Sequence, residues 1–195
     1  FLAGNFWHDY NGSDTNGDGI GNTFLPYNSN SRILNSGDFL PLVRPSPPTT
    51  VSIKLVTGFN LVSLPLNPLN NTLPGLLNSI NNNYNIVYVY NSSGLLKWAS
   101  FNPSRPAFLN TLNKLYPNQG FWINLLANKT LNITGIQNFN TNIKLKKGFN
   151  LIGYPSIQVR NISQATTAVN NTFTSIFAYN STIKQYAIYN PSIPY

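Results

Sequence analysis

The chain has 195 residues, 42% of them hydrophobic and 13% aromatic, which is enough for one or two domains with a packed core. Only 8% are charged, against roughly 25% in an average soluble domain, and the absence of cysteine excludes disulfide scaffolds and thiolate metal sites. No apolar run approaches the roughly 18 residues of a membrane-spanning helix, so no transmembrane segment is expected.

The charges are distributed unevenly along the chain. The formal net charge is +8, yet all acidic residues precede residue 39 and the cations that follow are scattered, with one small cluster near residue 145. A scattered distribution does not form the basic stripe of a nucleic-acid-binding face, so no nucleic-acid partner is expected. Few carboxylates also leave little to protonate in acid, which predicts an acid-stable chain. The four acids are Asp9, Asp14, Asp18 and Asp38.

Residues 1–44 form the first predicted unit, and a loop beginning at Asp14 is its centre. The run from Asp14 to Ile20 reproduces the D-x-N-x-D-G-x opening of an EF-hand-like loop, and calcium takes about six to eight oxygen ligands on such a turn. Leu25 stands where an EF-hand has its glutamate, so a distant carboxylate must complete the shell. The alternative is an Asx/Gly turn without metal. The predicted calcium ligands are Asp14, Asn16, Asp18, the Ile20 carbonyl, Asn22, and Asp38 or Asp9.

The same region carries a resemblance to a known family. Asn5 to Asp14 (NFWHDYNGSD), Ile20-Gly21-Asn22-Thr23 and Gly37 to Leu42 (GDFLPL) resemble the C-terminal end of NosD-type right-handed β-helix proteins. Copper handling is what that family name implies, but one histidine and no methionine or cysteine make a poor copper site. His8 is therefore interpreted as a structural residue beside Trp7.

Residues 45–50 are a proline-rich linker, and residues 51–137 are the first predicted β module. A turn at Thr57-Gly58 and another at residues 91–94 separate runs with strand character. Leucine and isoleucine at helical spacing predict a short helix over 72–80, with Thr72 as N-cap. The predicted strands are 53–56, 60–64, 85–90, 95–101, 120–125 and 130–134, which favours a small sandwich or barrel with a helical insert.

The first module also resembles the tandem β modules of archaeal and bacterial cell-surface proteins. The similarity lies in Gly58-Phe59-Asn60-Leu61-Val62-Ser63-Leu64-Pro65 near its start and Gly120-Phe121-Trp122-Ile123 near its end. This resemblance implies an architecture and a surface location, but it implies no activity.

The opening octapeptide returns 90 positions later, as Gly148-Phe149-Asn150-Leu151-Ile152-Gly153-Tyr154-Pro155. Two further blocks recur in the same order: 84–91 matches 173–180, and 98–104 matches 186–192. Ordered blocks at a nearly fixed period indicate a tandem duplication, so 138–195 is predicted to be a second β module of the same fold. Leu61 and Leu151, Tyr88 and Phe177, and Trp98 and Tyr186 should then occupy equivalent positions.

The second module is predicted to be incomplete. It should contain opening strands near Ile143–Leu145 and residues 150–154, a helix-like segment over 163–169, and a hairpin of 175–179 with 184–189. Counterparts of the closing strands 120–125 and 130–134 are missing. A sheet without its closing strands exposes unpaired backbone, which invites strand addition. The strand could come from further chain, from a neighbouring subunit, for which residues 1–4 are a candidate donor, or from nowhere.

No constellation for catalysis is found. General acid–base chemistry needs two carboxylates, or a histidine with a partner, and residues 39–195 contain neither. Asp9 adjoins His8, but neighbours on a strand point to opposite faces. The chain is therefore expected not to be an enzyme. Tyr90, Trp98, Phe121 and Trp122 lie at strand spacing and are interpreted as core residues rather than as a sugar-stacking platform.

The sequence contains eight N-x-[ST] sequons, in predicted turns and at strand ends where glycans are tolerated. The predicted glycosylation sites are Asn11, Asn70, Asn91, Asn128, Asn132, Asn161, Asn170 and Asn180.

Taken together, the sequence predicts an all-β, non-enzymatic, extracellular structural protein. We expect a subunit or segment of a surface layer, filament or adhesin, stabilised by calcium, carrying glycans, and associating with itself or with other surface proteins by strand addition. The alternative is a carbohydrate-binding accessory module of a larger secreted enzyme, which an exposed aromatic row with nearby Asn or Asp would favour.

Overall fold

The computed structural model describes residues 4–15, 18–43, 47–137 and 142–193. It divides the chain into one unit of Phe1–Pro47 with Asn138–Thr141, and a second of Pro48–Gln137 with Asn142–Tyr195. The described residues form nine strands in three antiparallel sheets and little helix, which confirms the predicted all-β class. The predicted ligand Asn16, the candidate donor residues 1–3, Arg44 and the linker residues 45–46 lie outside the described residues.

The first unit is held by isolated β-bridges and by tilted and edge-to-face aromatic contacts rather than by regular sheet. Leu42 bridges both Phe6 and Ile20, while Tyr27 bridges Asp38. The Tyr27 ring lies 5.4 Å from that of Trp7 and 5.2 Å from that of Tyr10, between ring centroids. Tyr27 is the one large hydrophobic side chain among the described residues of this unit that is buried, so its core is small.

The first repeat in the second unit is built from two sheets. One has the order β1 (Thr49–Leu55), β7 (Lys129–Ile136) and β3 (Asn67–Pro68). The other has the order β2 (Gly58–Ser63), β6 (Gly120–Leu125), β4 (Tyr84–Tyr90) and β5 (Trp98–Phe101). The expected strands are present with shifted ends. β1 begins at Thr49, inside the predicted linker 45–50, because Thr49 and Thr50 pair with Gly135 and Thr134.

Alternation along the strands places every second side chain in one core between the two sheets. In β6, for example, Phe121, Ile123 and Leu125 are buried and Trp122 and Asn124 are not. Eighteen buried hydrophobic residues form this core, all of them between residues 55 and 133. Each side chain of leucine or phenylalanine size contributes roughly 1.5–3 kcal/mol when fully buried, so the first repeat carries the stability of the second unit.

The helical insert of the first repeat is shorter than predicted. Residues Gly75–Ile80 form a 3-10 helix preceded by Pro74, whereas Thr72 bridges Lys114 and is not an N-cap. Proline has no N–H, and the residue before it is pushed towards extended backbone, so helix cannot extend back through Leu73 to Thr72. Leu76, Leu77 and Ile80 still point into the core, as the helical spacing indicated.

The second repeat reproduces only part of the first. It has a one-turn helix α1 (Ile162–Ala165), a 3-10 turn at Thr167–Val169, and a hairpin of β8 (Ile176–Asn180) with β9 (Gln185–Tyr189). Tyr179 pairs with Tyr186 in this hairpin as Tyr90 pairs with Trp98 in the first, and Phe177 pairs with Ile188 as Tyr88 pairs with Ser100. The predicted equivalences of Tyr88 with Phe177 and of Trp98 with Tyr186 are therefore confirmed.

The opening strands predicted for the second repeat are absent from the described residues 142–193. Ile143–Leu145 and residues 150–154 form no strand, and their one β pairing is a bridge of Ile152 to Gln119. In the first repeat β2 is paired by β6 and β1 by β7. A strand exists only through backbone pairing, so the same sequence pattern without those partners does not form one.

Candidate functional site

The outer face of the four-stranded sheet carries a row of aromatic side chains. Because Phe121 faces the core, Trp122 faces outward, and it lies opposite Leu61 on β2 and Tyr88 on β4. Tyr90 and Trp98 form the next outward pair, with ring centroids 5.1 Å apart. Of the four aromatics expected in the core, only Phe121 lies there; Tyr90, Trp98 and Trp122 do not, because the alternation of β4, β5 and β6 turns them outward.

The hairpin of the second repeat adds two rings to this surface. The centroids of Tyr179 and Tyr186 lie 5.0 and 6.4 Å from that of Trp122, and 5.1 Å from each other. The rings meet at interplanar angles of 59° to 73°, so edges contact faces rather than stacking in parallel. Edge-to-face packing of this kind favours aromatic pairs beyond the area they bury.

Together these rings line an open groove of about 500 Å³. Trp98 and Tyr186 are the most accessible, with exposed fractions of 52% and 58%. The lining residues are Phe59, Tyr88, Trp98, Trp122, Tyr179 and Tyr186. We call them the aromatic groove. Sequence reasoning considered a sugar-stacking platform that included Trp98 and Trp122 but preferred core packing. Since neighbours on a strand face opposite sides, Trp122 cannot share the core face with Phe121.

The second candidate surface is the face of the β8–β9 hairpin that corresponds to the core side of the first repeat. Val89 of the first repeat is 2% exposed, whereas its counterpart Ala178 is exposed. Likewise Leu64 is 0% and Tyr154 40% exposed. Within 142–193, no hydrophobic side chain is buried. The second repeat therefore presents the residues of a core without the strands that would cover it.

The second repeat meets the first where two backbones come close. The Gly153 amide donates to the Asn118 carbonyl at 3.2 Å, beside the bridge of Ile152 to Gln119. A Cβ at Gly153 would lie 2.5 Å from the Pro117 oxygen, and one at Gly120 would lie 2.7 Å from the Ile152 oxygen. The approach thus depends on glycine on both sides.

The predicted calcium loop is a hydrogen-bonded turn in the first unit. An Asp14 carboxylate oxygen accepts from the Gly19 amide at 2.8 Å, and an Asp18 oxygen accepts from the Ile20 amide at 2.8 Å. Gly19 has a φ of +87°, the left-handed conformation that this position of a calcium loop requires. The Asn22 side-chain oxygen accepts from both the amide and the hydroxyl of Thr15.

Asp38, the expected distant ligand, is held by other partners. One carboxylate oxygen accepts from the Asn5 amide at 2.8 Å and from Trp7 Nε1 at 2.9 Å, and the other accepts from the Leu40 amide at 2.9 Å. Among the described residues, no three His, Cys, Asp or Glu side chains cluster closely enough to hold a metal. The loop supplies hard oxygens that suit calcium, whereas Asp38 would have to share oxygens already in use.

His8 and Asp9 lie closer together than a strand geometry would allow. The segment turns at these residues, so His8 Nδ1 comes within 3.8 Å of Asp9 Oδ1. The expectation that they point to opposite faces is wrong for this reason. His8 is largely exposed. Interaction with the Tyr27 hydroxyl is the main cause that lowers the pKa of the Asp9 carboxyl, partly opposed by burial.

All eight sequon asparagines are exposed, as glycan acceptors must be. Several hold local turns: the Asn91 side chain accepts from the Ser93 amide, and the Asn180 side chain accepts from the Thr182 amide. Asn161 caps α1 through the Gln164 amide.

The chain was compared with models of protein families, with curated proteins and with solved structures, and none of the three comparisons yields a match. Across the residues that the structure describes, no helix has the length and apolarity to cross a lipid bilayer.

Proposed function

We propose that this chain is a non-enzymatic structural protein of the cell surface, which assembles by covering the open face of its second repeat with a strand from a neighbouring copy. The observation that supports the proposal is the contrast between the repeats. Equivalent positions that are buried in the first repeat are half-buried or exposed in the second, as Ile176 and Ala178 are in place of Val87 and Val89. A hairpin face that is uncovered where its counterpart is buried is typical of an interaction surface.

The geometry of the first repeat indicates where the added strand would lie. There β4 is flanked by β5 on one side and β6 on the other. Its counterpart β8 is flanked by β9 alone in the described sheet. Incoming strands would take the place of β6 beside β8, about 4.8 Å away, and of β7 across the core-side face that carries Ile176 and Ala178. Because donor and acceptor surfaces differ, the assembly would be head-to-tail.

Calcium and glycans fit the same proposal. Calcium bound by Asp14, Asp18 and the Ile20 carbonyl would stiffen the first unit, whose core is small. Glycans on the exposed sequons would keep a surface with few charges hydrated. Extracellular location rests on the sequence pattern, including the similarity to NosD-type proteins and to tandem surface modules.

The test uses a lysine on the open face. Ala178→Lys should be tolerated by the single chain, because Ala178 is exposed, but it should abolish assembly, since a covered lysine loses its hydration. The matched control is Ile183→Lys in the β8–β9 turn, where the side chain is 60% exposed and on no sheet face. The measurement is mass by sedimentation and light scattering over a range of concentrations.

Higher-order species in the parent chain and Ile183→Lys, with Ala178→Lys reduced to a single chain, would support the proposal. A parent chain that stays monomeric at high concentration would contradict it. Assembly that persists in Ala178→Lys would place the contact elsewhere.

A further inference from the structure

The aromatic groove has features that packing between the repeats does not require. A ring whose only role is packing hides its polar atom or pairs it. Here Tyr88, Tyr179 and Tyr186 carry hydroxyls, and Trp98 and Trp122 carry indole N–H groups. Within the described part of the chain, none of these five groups makes a hydrogen bond to protein. Five polar groups that otherwise lack a protein partner thus surround one concave apolar surface.

The charge of the groove restricts its ligand. No lysine, arginine or carboxylate is among the six lining side chains, although the chain as a whole carries a net charge of +8. An anionic ligand would be recognised by cations, and a cationic ligand would be disfavoured by the net charge of the chain. The complementary ligand is therefore uncharged.

The size and polarity select among uncharged ligands. A volume of about 500 Å³ lies within the usual range of small-molecule sites, which is roughly 300–1,000 Å³. Sugar rings have apolar C–H faces that pack on aromatic rings, and hydroxyls around the rim that exchange hydrogen bonds with tyrosine and tryptophan. A purely apolar ligand would leave the five polar groups desolvated and unpaired, which costs affinity.

We infer that the aromatic groove binds a neutral oligosaccharide, with Trp98 and Tyr186 as its two accessible stacking surfaces. The Trp122 ring forms the base of the groove, and the Tyr179 ring of the second repeat packs against it. The site is separate from the proposed assembly face, because Tyr179 and Tyr186 lie on the opposite side of the hairpin from Ala178. The groove exists only when the second repeat is docked, since each repeat supplies part of its lining.

Intrinsic tryptophan fluorescence is a suitable readout, because two of the three tryptophans of the chain line the groove. The chain would be titrated with cellohexaose, chitohexaose and maltohexaose, and with hexaproline as an uncharged peptide probe. Trp98→Ala and Tyr186→Ala should each weaken binding of the sugar by about tenfold or more, because each removes a stacking surface. Phe108→Ala is the matched control: Phe108 is 84% exposed and does not line the groove.

Tyr186→Phe separates stacking from hydrogen bonding, since it keeps the ring and removes the hydroxyl. We expect a smaller loss than for Tyr186→Ala. Binding of at least one hexasaccharide that Phe108→Ala retains and Trp98→Ala loses supports the inference. It is overturned if no hexasaccharide changes the fluorescence up to about 10 mM, a concentration at which even weak sites fill. Binding of hexaproline alone, or sugar binding unchanged in both alanine variants, also overturns it.

Discussion

Asn60 and Asn150 make the same three hydrogen bonds in the two repeats. Each side-chain oxygen accepts at 3.0 Å from the amide four residues earlier, at Val56 or Lys146. Each side-chain nitrogen donates at 2.7 Å to the carbonyl of that same residue. It also donates, at 2.9 or 3.0 Å, to the carbonyl of the glycine two residues before the asparagine. Those glycines, Gly58 and Gly148, have φ values of +90° and +94°. The turn is therefore formed without the sheet that follows it in the first repeat.

Removal of these two side chains should have unequal effects. Asn60 is 2% exposed and its backbone partners at Val56 and Gly58 are partly buried, so Asn60→Ala leaves them unpaired and should lower the free energy of unfolding by about 2 kcal/mol. Asn150 is accessible to water, so Asn150→Ala should cost about 0.5 kcal/mol. Urea denaturation of both variants measures the difference. Equal losses would contradict the claim that burial, rather than the bonds themselves, sets the cost.

The docking of the second repeat should depend on Gly153. Gly153→Ala brings a methyl group to 2.5 Å from the Pro117 oxygen and 2.7 Å from the Gln119 oxygen, so the segment must move away. Tyr179 and Tyr186 should then leave Trp122, with a change in tryptophan emission and faster proteolysis after residue 142. Gly94→Ala, in a surface turn where the nearest atom is 3.0 Å away, is the control. Unchanged emission and proteolysis in Gly153→Ala would be the contrary result.

In the first unit, the Tyr10 ring lies across two glycines. A Cβ at Gly12 or at Gly21 would lie 2.0 Å from the Tyr10 hydroxyl oxygen, which donates to the Thr23 carbonyl. Gly21→Ala should therefore displace Tyr10 and lower the melting temperature of this unit. In a Tyr10→Ala background, the added methyl should cost little more, because the clash is gone. Full additivity in this double-mutant cycle, followed by thermal unfolding, would argue against the clash.

Asp38 should make the first unit sensitive to acid. Burial, the largest influence, raises the pKa of its carboxyl, but hydrogen bonds from Trp7, Asn5 and Leu40 together hold it below the ordinary value of 3.8. A group with a lowered folded-state pKa contributes stability above its unfolded pKa and loses it as the pH falls through the folded one. The melting temperature of the first unit should thus exceed that of Asp38→Asn near pH 7, and the difference should vanish below the folded pKa.

The second unit supplies the internal control for this titration. No carboxylate side chain occurs after residue 38, so its transition should not follow the Asp38 titration. Thermal unfolding from about pH 2 to 7, followed by near-ultraviolet circular dichroism, measures both transitions. A difference between the parent chain and Asp38→Asn that persists at the lowest pH would contradict the assignment.

Calcium should stabilise the first unit alone. A ligand that binds only the folded state raises the melting temperature in proportion to the logarithm of its concentration. Chelation should lower the first transition in the parent chain and leave it unchanged in Asp14→Asn/Asp18→Asn. Calorimetry with calcium, with magnesium and with chelator is the measurement. Identical curves for the parent chain in all three conditions would remove the calcium proposal.

The sequence predicted where individual strands lie better than it predicted which strands pair with each other. The bounds of β6 were predicted correctly, because Gly120 to Leu125 is a run of aromatic and aliphatic residues, interrupted only by Asn124, of the kind enriched in strands. The repeat was visible because the same octapeptide occurs twice, yet only one copy pairs as a strand. Whether Leu151 and Ile152 enter a sheet depends on partners far along the chain, and no local pattern contains that information.

The aromatic groove was difficult to predict from the sequence for the same reason. The direction of Trp122 follows from the alternation of its own strand, but its contact with Tyr179 and Tyr186 depends on how the second repeat docks. That docking follows from close backbone approach at Gly120 and Gly153, which periodicity does not reveal. The interpretation of Trp98 as a core residue failed because strand spacing identifies two faces without indicating which one is covered.

The glycine at position 153 also makes the two copies of the repeat unequal. Its counterpart in the first copy is Ser63, which pairs with Gly120 inside a sheet and has room for a side chain. A serine at position 153 would place its Cβ 2.5 Å from the Pro117 carbonyl oxygen, so the docking of the second copy on the first requires glycine at this position. The two copies are therefore not interchangeable. The copy with serine forms the sheet, and the copy with glycine packs against it.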